Sequence, residues 1–351
     1  MLEYAALATR DRASVEAMAT PWLQVHAVAR ERGLKLVTAD RVAADNIDPR
    51  RVVLIATDWT RDAQKLVSQG ARPGVLVSFD PPVIAWWLYY HLERVSALFP
   101  HTFMYEGARE RVAPTTRFHP LFFPVPCPPP RPTGLPWTSR RFMVAIDDNA
   151  ALPRPRDLGR WLDRPRELSI ERMWAGLRYR PIGHERYQAR LRAIEAFSTH
   201  DDFDLFGEGW DHRHPAVDLE LHEAAARAFR GGVHNRLALL AKYRFALVYE
   251  NTRFPGYVSD SILDCFFARC IPIYSGAPDV AQYVPPSAFI DVRQFQSFPE
   301  LERFLVLTSE DDARRYVDAA HAFLISPRFE SWCVDRFARD VVDALLHVAT
   351  A

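Results

Sequence analysis

The chain has 351 residues, 48% of them hydrophobic and 25% charged, and its 44 Lys and Arg residues balance 44 Asp and Glu. That is enough apolar material for one large core or, more naturally, two of ordinary size. A balanced charge with no long basic run leaves non-specific nucleic-acid binding without support.

Arginine far outnumbers lysine, the lysines being Lys35, Lys65 and Lys242. Arginine is therefore the expected stand-in wherever a functional lysine is lost. Cys127, Cys265, Cys270 and Cys333 form no Cys-x-x-Cys pair. Cys265 and Cys270 read as core thiols of a helix and the strand after it, so a reducing cytoplasm fits best. Met1-Leu2-Glu3 lacks the basic start and apolar run of a signal peptide. The longest apolar stretch, Pro82 to Tyr90, is too short to cross a bilayer. It reads as a core helix; the alternative is an exposed aromatic surface for a sugar or a membrane face.

In chain order, Leu34–Thr38, Val52–Ala56, Val75–Phe79 and Thr102–Tyr105 read as buried strands, with turn residues or helical segments between them. Such alternation predicts a parallel sheet. Asp80 and Glu106 follow two of these strands, where the catalytic groups of α/β proteins usually lie. Proline is dense from Pro124 to Pro136, which marks a linker and a domain boundary. We expect domains at 1–130 and 131–330, with 331–351 as a helix returning to brace the first.

The second domain should open with a strand at Arg141–Ile146, followed by an arginine- and proline-rich passage to Pro181 that has no clear element pattern. From Glu185 to Phe197 the apolar positions Tyr187, Leu191, Ile194 and Phe197 predict an amphipathic helix. Phe203–Gly207 reads as a strand and tight turn. Phe245–Tyr249 is an apolar run suited to a buried parallel strand, and it ends in Glu250-Asn251. Ser259 or Asp260 can then cap a helix carrying Ile262, Leu263, Phe266 and Phe267, and Cys270–Tyr274 is the next strand. This unit sets Glu250, Asn251, Tyr257, Ser259 and Asp260 between a strand's carboxyl end and a helix's amino end, where open α/β sheets bind ligands and phosphates find backbone donors. Helices are expected at Pro299–Leu307, Asp311–Leu324 and Ser331–Leu346.

Three ungapped segments, Tyr249-Glu250-Asn251, Tyr257-Val258-Ser259-Asp260-Ser261 and Ile271-Pro272-Ile273-Tyr274-Ser275-Gly276, together resemble the donor motif of the glycosyltransferase family 10 fucosyltransferases. Tyr187–Phe197 and Asp204–Trp210 resemble the helix and glycine-rich segment that precede it in bacterial members. The chain departs from the family's Glu-Lys pair at Asp260-Ser261.

The resemblance implies the GT-B arrangement, two Rossmann-like α/β domains facing across a cleft. It also implies an inverting transfer of fucose from GDP-fucose to a glycan or glycolipid hydroxyl, with no metal required. A carboxylate base is needed for the acceptor hydroxyl, and charge or backbone donors for the departing diphosphate. Asp80 is the first choice of base and Glu106 its rival; Asp80 before two prolines also fits a plain turn. Arg227, Arg230 and Arg253 are candidates for the diphosphate, against solvated surface roles. Asn251 and Tyr257 would bond diphosphate or sugar. Asp260 would hold the ribose, Ser259 and Ser261 would offer donors at the helix start, and Glu250 would fix the loop rather than touch the reaction.

Two rivals remain: a different nucleotide-sugar donor read by Asp260-Ser261, or a glycan-binding or scaffold protein that has lost turnover. The histidines of Asp211-His212-Arg213-His214 read as a loop rather than a metal set, and Asp147-Asp148 lacks the spacer of an Asp-x-Asp site.

Overall fold

A computed structural model describes residues 4–8, 19–128, 134–148, 187–211 and 219–350. The arginine-rich passage after Asp148, the first residues of the helix expected from Glu185, His212 to His214 and the centre of the proline linker lie outside the described residues. The chain divides into two units, Met1–Pro128 with Glu330–Ala351, and Pro129–Phe329.

The first unit is a six-stranded parallel sheet of β1 (Tyr4–Ala8), β2 (Lys35–Thr38), β3 (Val52–Ala56), β4 (Arg72–Val77), β5 (His101–Met104) and β6 (Arg117–Pro120). The order is β2-β1-β3-β4-β5-β6. All five side chains of β3 are buried, as are Val75 to Val77 of β4, because helices cover both faces of a sheet wound this way. The helix Val334–Thr350 packs on the helix Ala19–Glu31 and on β4. An aromatic group joins the three: Trp22 meets Phe79 and Phe337 edge-on at ring distances of 6.0 and 5.9 Å. The run Pro82–Tyr90 is mostly core, with Val83, Leu88 and Tyr89 buried and Tyr90 at the surface. It becomes helical only from Trp86. Among the described residues no helix is long and apolar enough to cross a membrane.

The cysteine spacing gave no sign of a disulfide, and the structure contains one. Cys127 and Cys333 form a disulfide across 206 positions of sequence, while Cys265 and Cys270 remain buried thiols. Sequence spacing cannot reveal this bond, because the returning chain itself creates it. Val125 pairs with the backbone of the 332–334 segment through bonds of 2.8 and 2.9 Å, which sets the two sulfurs side by side.

The second unit carries a five-stranded parallel sheet of β7 (Arg141–Ile146), β8 (Phe203–Phe206), β9 (Tyr243–Tyr249), β10 (Ile271–Ser275) and β11 (Ile290–Asp291), in the order β11-β10-β9-β7-β8. Its core interleaves Met143, Leu205, Phe245 and Ile273 of the sheet with Leu191, Ile194 and Phe197 of a helix over 187–197. The chain leaves β7 toward one edge and returns through β9 toward the other. The crevice at the carboxyl ends of β7 and β9 is therefore a topological switch point, the usual ligand position in an open α/β sheet.

Candidate functional site

Asp147 follows β7 directly, and the turn after β8 is shaped around it. Trp210, fully buried, donates its indole N–H to the Asp147 carbonyl at 2.6 Å. Gly207 lies so near that a Cβ there would stand 2.0 Å from the same oxygen, at a φ of +140° that side chains disfavour. Arg190 reaches the Asp147 carboxylate from the helix 187–197 at 2.6 Å. Burial raises the Asp147 pKa, and the nearby charges of Arg190 and Arg236 oppose that rise.

Arg190 is only 8% exposed, yet among the described residues its Nε has no hydrogen-bond partner. A buried guanidinium N–H without an acceptor is costly, and a phosphate oxygen is one group that would satisfy it.

Across the switch point, Glu250 follows β9. Its carboxylate accepts the Ser259 backbone N–H at 2.8 Å, tying the strand end to the first turn of the helix Asp260–Ala268. Ser259 caps that helix by accepting the Ser261 N–H. Desolvation raises the Glu250 pKa to about 7, with Asp260 and Asp147 adding to the rise and the bonds from Ser259 opposing it. Gly276 leaves room for this carboxylate, since a Cβ there would lie 2.3 Å from both Glu250 Cγ and the Tyr274 hydroxyl.

Arg236 opens a short helix, Arg236–Leu240, and faces the same helix start. Its Nη2 donates to Ser261 Oγ at 2.8 Å, and its Nε pairs with Asp264 at 3.0 Å. Burial raises the pKa of Asp260, and that of Asp264 to about 7, against the pull of Arg236. Two arginines thus stand among four carboxylates at the carboxyl edge of the sheet and the amino end of a helix.

The structure brings Glu250, Ser259, Asp260 and Ser261 together here. Tyr257 is buried beside them, while Asn251 and Arg253 are exposed on the loop after β9. Arg227 is exposed on the helix Leu219–Ala228. Arg230 is committed elsewhere: it pairs at 2.8 Å with Asp204, a fully buried carboxylate that also holds Arg141 at 2.6 Å and the Tyr243 hydroxyl at 2.6 Å. Arg141 and Tyr243 are the first residues of β7 and β9, so this network lies toward the opposite edge of the sheet. Arg230 is thus a partner of a buried acid.

In the first unit, Asp80 is half-buried just beyond β4. Glu106 follows β5, and both its oxygens are taken by Arg109, at 2.5 and 3.0 Å.

Asp147 and Arg190 were not among the expected site residues. One signal was available for Arg190. It falls three positions after Tyr187 and one before Leu191, so a charge sits on the apolar face of the helix and requires a buried partner.

Two parallel-sheet Rossmann-like α/β units place the chain in the GT-B fold class of glycosyltransferases. Within it, residues 183–324 match the family profile described as Glycosyltransferase family 10 (fucosyltransferase) C-term. The alpha-(1,3)-fucosyltransferase FucT of Helicobacter pylori is 43% identical over 68 residues, 19% of this chain and 14% of the relative. The chain spans between 14% and 40% of the length of the curated relatives it matches.

Among solved structures, an alpha1,3-fucosyltransferase with GDP superposes with a TM-score of 0.52 at 13% identity, covering 99% of this chain and 90% of that one. With GDP-fucose its TM-score is 0.50. Anabaena Alr3699/HepE in complex with UDP and glucose gives 0.59 at 10% identity, covering 99% and 100%. These likenesses concern the fold.

Proposed function

We propose that the chain is a family 10 glycosyltransferase that moves fucose from GDP-fucose to a glycan hydroxyl with inversion. One observation carries this reading. The segment that matches the family profile supplies most of the switch-point site, namely Arg190, Arg236, Glu250 and the start of the helix Asp260–Ala268. Departure of a nucleoside diphosphate needs positive charge and oriented donors where negative charge develops. Arg190 supplies a planar fork of donors suited to phosphate, and the first turn of the helix supplies backbone amides and the positive end of its dipole. Glu250 does not face the donor in this scheme. It holds the helix start against the end of β9 through Ser259, while Asn251 and Tyr257 meet the diphosphate or the sugar, and Asp260 the ribose.

The base is a carboxylate of the first unit. Asp80, just beyond β4 and ahead of Pro81-Pro82, is preferred, with Glu106, which pairs with Arg109, as its rival. As base, Asp80 accepts the acceptor hydroxyl's proton as the new glycosidic bond forms and the bond to the diphosphate breaks. Loss of turnover with retained glycan binding, or a different nucleotide sugar, are the outcomes that would replace this reading.

The test compares Asp80→Asn and Arg190→Gln with the wild type for transfer from labelled GDP-fucose to a glycan panel and for binding of GDP. D80N should bind GDP as the wild type does and lose transfer by a factor of about 10²–10⁴. R190Q should lose GDP binding. Full transfer by D80N would remove Asp80 from the mechanism, and wild-type indifference to GDP and GDP-fucose would remove the donor site.

A further inference from the structure

We infer that Arg236 is a diphosphate-binding residue, and that Ser261 and Asp264 are the positioning residues that hold its guanidinium at the start of the helix Asp260–Ala268. The inference rests on the donor-site reading above and extends it to a residue 46 positions beyond Arg190.

The geometry is specific. Arg236 comes from the short helix before β9 and is held at two points. Nε pairs with Asp264 at 3.0 Å, on the second turn of the receiving helix, and Nη2 donates to Ser261 Oγ at 2.8 Å on its first turn. Ser261 Oγ accepts this bond, so position 261, where the family motif implied by the resemblance carries a cation, instead receives one from a neighbouring element. The Arg236 side chain is 36% exposed. It is fixed by one hydrogen bond, to Ser261, and one ion pair, to Asp264, while its buried Nε makes no hydrogen bond among the described residues.

Asp147, Glu250, Asp260 and Asp264 surround Arg236 and Arg190, and the Arg236 charge acts on Asp147, Asp260 and Asp264 at once. Arg190 is already spent on Asp147 through Nη1. A diphosphate with at least two negative charges entering such a site needs more than one cation, and among the described groups here Arg236 is the other.

The experiment separates the phosphate contribution from that of the base and ribose by measuring GDP and guanosine binding calorimetrically to each protein. In the wild type GDP should bind far more tightly than guanosine. In Arg236→Gln the ratio of the two affinities should fall roughly 10- to 100-fold, as expected for loss of a charge-assisted bond, with guanosine binding unchanged. Arg236→Lys, which keeps the charge, should recover most of that ratio.

A second measurement needs no variant. Phenylglyoxal modification of Arg236 in the wild type, read by peptide mass, should be slowed by saturating GDP and not by guanosine. An unchanged affinity ratio in R236Q, or modification indifferent to GDP, overturns the inference while leaving the donor site standing. A wild type that binds no GDP overturns both.

Discussion

Replacing Glu250 by glutamine should stabilise the protein at alkaline pH and have little effect in acid. The carboxyl is buried and its pKa is raised from 4.5 to about 7, chiefly by desolvation. In the unfolded chain it ionises near 4.5 and in the folded chain only near 7. The folded state therefore binds the extra proton between these values, and stability from this group falls as pH rises through that window. At about 1.36 kcal/mol per pH unit the penalty above pH 7 is roughly 3 kcal/mol.

Glutamine keeps an oxygen to accept the Ser259 N–H but leaves an amide N–H₂ in the oxygen's place, at a cost of about 1 kcal/mol. Urea unfolding at pH 5 and pH 8 should show E250Q slightly less stable than wild type at pH 5 and about 2 kcal/mol more stable at pH 8. A difference between the two proteins that does not grow with pH would refute the assignment of Glu250 as a desolvated acid held only by the start of the helix.

Three further outcomes follow from particular contacts. Gly276→Ala, which would set a Cβ 2.3 Å from Glu250 Cγ and from the Tyr274 hydroxyl, should cost roughly 1–3 kcal/mol by overpacking and weaken GDP binding; denaturation and calorimetry check both. Reducing the Cys127–Cys333 bond, or Cys127→Ser with Cys333→Ser, should lower the melting temperature, since a cross-link closing a loop of 206 positions contributes about 2–4 kcal/mol; an unchanged melting curve with and without reductant would show the bond to be inconsequential. His101, hydrogen-bonded to both His119 and His347, has a pKa lowered from 6.5 to about 4 by burial and by the charges of His119, His347 and Arg117. Its unfolded form takes a proton first, so stability should fall as pH drops from 6.5 toward 4, and His101→Gln should flatten that decline in acid titrations followed by circular dichroism.

The strand rhythm was legible because strands buried on both faces read as apolar runs, and Val52–Ala56 and Arg141–Ile146 fall where those runs fall. β6 was not, because Arg-Phe-His-Pro on the sheet edge has little apolar character and ends in proline. β1 was missed for another reason: its Tyr-Ala-Ala-Leu-Ala is dominated by alanine, which favours helices.

At the site, residues contiguous in sequence were readable, since a strand end and the following helix cap adjoin by construction. Arg190, Asp147 and Arg236 come from three separate elements and meet only when β7 and β9 pair. The partner of Arg230, Asp204, lies 26 positions earlier, where no local pattern shows it. An aspartate within Phe203–Phe206 could have warned that some cation must be spent on it.

The central claim is that the switch-point site of the second unit binds a nucleoside diphosphate through its phosphates. Calorimetric titration of the wild-type protein with GDP, GDP-fucose, UDP and guanosine tests it most directly. The account predicts saturable binding of GDP and GDP-fucose, weaker binding of UDP, and guanosine weaker than GDP by at least an order of magnitude. Guanosine binding as tightly as GDP, or no heat from any of the four, would contradict it.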